Sequence, residues 1–83
     1  MTDLLDKIYE LRDYDSDSAA FISAAIERIR IGYDEGALTK EECIELTEDL
    51  RQTKQVAALA ERIETKILIE DILNDFLSIL GAL

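Results

Sequence analysis

Between Lys40 and Leu80 the sequence contains neither glycine nor proline, so no strong breaker interrupts a helix there. Proline is absent altogether, and glycine occurs only at Gly32, Gly36 and Gly81. The chain is thereby committed to long helical segments. The expectation over 40–80 is one long helix, or two nearly continuous ones bent near 51–55. There the polar run RQTKQ separates two apolar stripes, and Thr53 offers a cap. Leu46, Leu50, Thr53 and Ala57 form the first stripe, and Val56, Leu59, Ile63 and Ile67 the second.

Upstream, residues 3–12 read as a short amphipathic helix with Leu4, Leu5, Ile8 and Leu11 on one face. Asp3 and Asp6 suit its positive N-terminal end. DYDSDS then interrupts it, because Asp and Ser side chains compete for their own backbone, and Ser16 or Asp17 caps the next helix. That helix, 18–35, aligns Ile22, Ile26, Ile29 and Tyr33, with Phe21 and Ala25 widening the stripe. Glu27, Arg28 and Arg30 face away. Gly32 weakens its last turn, and Gly36 supplies the left-handed residue that closes it. In the following GALTKEEC, Thr39 and Glu42 have capping-box spacing, with Leu38 and Cys43 placed as a hydrophobic staple.

The last segment has the widest apolar face. Ile67, Leu68, Ile69, Ile72, Leu73, Phe76, Leu77, Ile79 and Leu80 leave only a narrow polar strip of Glu70, Asp71, Asn74, Asp75 and Ser78. A surface helix needs an apolar arc of only about 100°, so this helix must sit at the centre of a bundle or be shared with another chain. The shared arrangement places Ile69, Leu73, Phe76 and Leu80 in a seam between subunits, at the four-three-four spacing of facing helices. Ile72 and Ile79 then pack inward. The fold expected is all-α: a single domain over 1–83, a small bundle of three to four helices with a long C-terminal helix, and oligomeric.

Charge narrows the choice of partners. Nineteen acidic residues against nine basic give −10 over 83 residues. A direct grip on nucleic-acid phosphates needs a positive surface, and an anionic membrane repels this one. A protein with a basic surface is the complementary partner. Cys43 stands alone, so no disulfide forms within the chain, in keeping with a reducing compartment. The opening MTDLLDKIYELRD is charged from its third residue and lacks the apolar core of a signal peptide. Glu70, Asp71 and Asp75 interrupt the most apolar stretch, which therefore does not read as a membrane span. The default location is cytoplasmic.

No residue set carries catalysis. Asp13, Asp15 and Asp17 alternate as in a calcium loop, but Ser18 stands at the position that needs glycine and Ala24 at the position that needs glutamate. An interhelical cap is the reading preferred for that run. Cys43 has no histidine anywhere to serve as its base, and Glu41 and Glu42 oppose its thiolate. Glu61, Glu64 and Glu70 lack the Glu-x-x-His partner of a di-metal bundle. The expectation is a non-enzymatic protein without a cofactor or resident metal.

RIRIGYDEGALTKEECIELTEDL, residues 28–50, resembles the short helical hairpin of the SHOCT type, in which one helix ends at a glycine and LT-x-E-E begins the next. The lysine-rich continuation usual there is replaced here by TEDLRQTK. In size and composition the whole chain is similar to the small acidic helical accessory proteins that bacteriophages encode. That resemblance implies particle assembly or inhibition of a host protein. Two functions follow as expectations: a self-associating assembly or adaptor module joined through 67–80, and an acidic inhibitor seated on a basic site of a host protein.

Overall fold

The computed structural model describes residues 2–14 and 16–81. These form five α-helices: α1 Thr2–Arg12, α2 Asp17–Asp34, α3 Lys40–Arg51, α4 Lys54–Leu59 and α5 Ile63–Ile79. The first two match the expected 3–12 and 18–35 within two residues. The one long helix, or two nearly continuous ones, expected over 40–80 prove to be three helices, which brings the bundle from the expected three or four to five among the described residues. The Asp3 side chain and Asp15 lie outside the described residues, so the roles expected of them find no counterpart here.

Local chemistry accounts for most of the boundaries. The Ser16 side chain accepts a hydrogen bond from Ala19 N–H and starts α2. At the other end of α2, Gly36 takes φ 76°. Ala37 N–H donates to Gly32 C=O at 2.8 Å and Gly36 N–H to Tyr33 C=O at 3.1 Å, the paired bonds of a Schellman turn. Thr39 then caps α3 in a complete capping box: Glu42 N–H donates to Thr39 Oγ1, and Thr39 N–H to Glu42 Oε1. Thr53 accepts from Val56 N–H and begins α4, which settles the anticipated bend near 51–55 as a true break.

The second break, at Ala60–Arg62, has no glycine, proline or side-chain N-cap to announce it. The Thr65 hydroxyl holds it instead. Buried beneath the corner, it donates to the carbonyls of Leu59 and Arg62, joining the end of α4 to the start of α5. The break also changes which residues face inward. Leu59 is buried, whereas Ile63 and Ile67, expected on the same stripe, are 72% and 54% exposed. The buried stripe of α5 begins at Thr65 and runs through Leu68, Ile69, Ile72, Leu73, Phe76 and Leu77.

Packing explains the broad apolar arc of α5. Both α2 and α5 contact α1, α3 and α4, so each has three helical neighbours. One buried cluster draws on all five helices, from Leu4, Ile8 and Leu11 through Ile22, Ile26, Cys43, Leu50 and Leu59 to Phe76 and Leu80. The Cα radius of gyration is 11.9 Å, close to the roughly 12 Å that a single compact domain of this length would have. Polar ties reinforce the packing: Lys7 Nζ lies 2.7 Å from Asp75 Oδ2, and Arg51 donates to Asn74 Oδ1 at 3.3 Å. No helix among the described residues is long and apolar enough to cross a membrane.

Candidate interaction surface

Ile69, Leu73, Phe76 and Leu80, expected as a seam between subunits, are all 2% exposed or less within the single chain. Within the single chain they are core and present no exposed seam. Of the two residues expected to pack inward, Ile72 is fully buried and Ile79 is half exposed. Each large aliphatic buried in this way contributes about 1.5–3 kcal/mol, which the fold itself uses.

What remains on the surface is best read from α3. Its buried residues Cys43, Thr47 and Leu50 fix the inward direction. Arg51 reaches toward α5 through Asn74, while Leu46 and Asp49 lie on the α2 side. By helical spacing Glu41, Glu45 and Glu48 then share the outward face, and all three are exposed. None of the three ion pairs among the described residues uses them: those are Lys7–Asp75, Arg12–Glu27 and Arg30–Asp34. Glu70 and Asp71 are likewise exposed on α5.

A shallow groove of about 300 Å³ runs beside that face, open to solvent between α2 and α3. Ala25, Arg28 and Ile29 line it from α2, and Leu46, Asp49, Leu50 and Thr53 from α3 and the turn that follows. Its lining is mainly aliphatic, with Ala25 and Ile29 from α2 and Leu46 and Leu50 from α3. Sequence reasoning assigned Leu46 and Phe21 to the core, but they are 41% and 48% exposed. Leu46 lines the groove, and a single-helix hydrophobic pattern does not distinguish either position from burial.

A second cleft of about 230 Å³ opens between α1, the end of α2 and the end of α5, lined by Leu4, Leu5, Tyr33, Phe76 and Ile79 with Arg30 and Asp34. The Arg30 charge is answered there by Asp34 at 3.1 Å.

The other candidate reactive groups do not gather into a site among the described residues. Cys43 is buried; burial pushes its thiol pKa upward, and the neighbouring Glu42 carboxylate adds to the rise. Glu61, Glu64 and Glu70 are exposed, and no group of three or more potential ligands gathers among the described residues. Asp13 and Asp17 flank the α1–α2 connection, where Ser16 does the capping. No family model, curated protein or solved structure matches the chain.

Proposed function

We propose that this protein is a non-enzymatic binding module that presents an acidic helical surface to a basic site on another protein. The observation that carries the reading is the outward face of α3, where Glu41, Glu45 and Glu48 stand exposed at successive turns without a cationic partner among the described residues. Carboxylates in that arrangement repel one another, and a basic partner relieves the repulsion on docking. The enclosure of most of the α5 apolar arc within the chain's own core, all but Ile67 and Ile79, supports the same reading, since it weakens the main reason to expect a shared helix. The sequence resemblance to phage accessory proteins implies particle assembly or inhibition of a host protein, and the second is the setting that fits this reading.

Capture on immobilised protein from a lysate of the producing cell tests the reading. The proteins retained should be basic, and retention should fall steeply with added salt, because screening acts over about 10 Å at 0.1 M. The triple variant Glu41→Gln/Glu45→Gln/Glu48→Gln should lose them. Retention that ignores both salt and the triple variant would sink the proposal.

Self-association is the second reading, carried now by Ile63 and Ile67, one turn apart and exposed on α5. Light scattering at high micromolar concentration decides it: a mass of 9.4 kDa excludes a stable oligomer.

A further inference from the structure

From the groove between α2 and α3 we infer the kind of element the partner inserts: a short amphipathic helix, aliphatic on one side and basic along one edge. This deepens the proposed function and rests on it. Three features of the groove converge. Ala25, Ile29, Leu46 and Leu50 make most of its lining apolar, and it is open to solvent. Such a shape does not enclose a small molecule, which typically buries most of its surface in a pocket. It does accept side chains repeating every three or four residues from a helix laid along it.

The second feature is charge. The α3 lip carries Asp49 in the groove wall, and Glu45, four residues earlier on the same helix, is exposed within about 40° of it by helical spacing. A helix edge bearing Lys or Arg complements that lip. A second copy of this chain does not, since its surface carries the same sign, −10 overall. Nucleic acid is opposed for the same reason.

The third feature is asymmetry. The α2 lip presents Arg28, so the opposite edge of the inserted helix should be acidic or neutral. The groove thereby selects one orientation of the helix as well as its composition.

The test uses the full chain and defined probes. The first is a synthetic Leu/Lys helical peptide of ~18 residues, long enough to hold helical structure, with Leu at three- and four-residue spacing. A Leu/Glu peptide keeps the apolar positions and reverses the charge. A Lys/Ser peptide keeps the charge and removes the apolar face. Fluorescence anisotropy reads affinity, and backbone amide shifts read location. The Leu/Lys peptide should perturb amides along Ala25–Ile29 and Leu46–Thr53. It should bind at least tenfold more tightly than Lys/Ser, and Leu/Glu should not bind.

Leu46→Gln and Asp49→Lys change exposed residues of the groove wall, and each should weaken the Leu/Lys peptide about tenfold with the amide spectrum otherwise preserved. Two variants guard against an accident of folding in either one. If Lys/Ser binds as tightly as Leu/Lys, the acidic-surface reading survives and the groove assignment fails. Shifts confined to α5, or affinity untouched by both variants, also overturn the groove. If neither basic peptide binds, the groove assignment and the proposed function fail together.

Discussion

The Leu38 side chain occupies the space where a methyl group on Gly32 would lie, with Leu38 Cδ1 2.7 Å and Cγ 2.9 Å from the position of that absent Cβ. Leu38 N–H also donates to Gly32 C=O at 3.0 Å. Gly32 therefore serves close packing inside a helix, which outweighs its poor helix propensity. Gly32→Ala should destabilise the protein by about 1 kcal/mol, an overpacking cost partly offset by the better helix former. In a Leu38→Ala background the same change should stabilise by about 0.5–1 kcal/mol, because only the propensity difference remains. A urea-unfolding double-mutant cycle reads this sign reversal; equal effects in both backgrounds would refute it.

Phe76 provides the second prediction. It is buried against the chain's own helices, so Phe76→Ala should cost about 3–5 kcal/mol through lost burial and the cavity left behind. Its mass by light scattering should match that of the parent. Leu73→Asp/Phe76→Asp should unfold the chain outright, since both charges would enter the core without partners. A double variant that stayed folded, at a smaller mass than the parent, would restore the shared seam.

The α4–α5 corner provides the third. Thr65→Val preserves shape but removes the hydroxyl that donates to Leu59 and Arg62. Both carbonyls keep a backbone donor, Arg62 C=O from Lys66 N–H at 2.9 Å and Leu59 C=O from Arg62 N–H at 3.4 Å, so losing the hydroxyl should cost only about 0.5–1.5 kcal/mol. Amide exchange should accelerate first at Leu59–Lys66, ahead of α2. Unchanged stability would show that backbone and packing alone hold the corner.

Cys43 provides the last. Its buried thiol should react with a disulfide reagent only as fast as the structure opens, and low urea should accelerate the reaction. The folded pKa is raised by burial and then by Glu42, so the unfolded thiol ionises first as pH rises. The associated stability is present below the ordinary thiol pKa, about 8.5, and is lost progressively above it. Cys43→Ala should flatten that part of the stability–pH curve. An alkaline slope identical in both proteins would show that other groups set it.

Most of the local architecture was legible from the sequence. Ser16, Gly36, the Thr39–Glu42 box and Thr53 mark helix ends by their own side chains or backbone freedom, and each sits where its chemistry indicates. The corner at Ala60–Arg62 was not legible, because its fastening is Thr65, a residue inside the following helix whose acceptors lie up to six positions back. Missing that corner kept Ile63 and Ile67 on the inward stripe. The α5 arc was read correctly as too wide for a surface helix. Only the tertiary arrangement, with α1, α3 and α4 around α5, decides between a central helix and a shared one. The groove escaped notice for a related reason: Leu46 and Ala25 become a recess only when the hairpin brings α2 beside α3.

The placement of α5 among three other helices has a consequence for biosynthesis. A ribosome makes α5 after the four helices before it, and α1, the earliest to emerge, has its Lys7 partnered with Asp75, 68 positions later. Until Phe76 and its neighbours leave the exit tunnel, α1, α3 and α4 lack a surface they are shaped to cover. At roughly 5–20 residues per second, seconds pass between the synthesis of Ile8 and that of Phe76, and Ile8 and Leu11 wait uncovered through them. The α2–α3 hairpin, fastened by its own turn and capping box, can form during that interval, but the common core closes only when the last helix arrives.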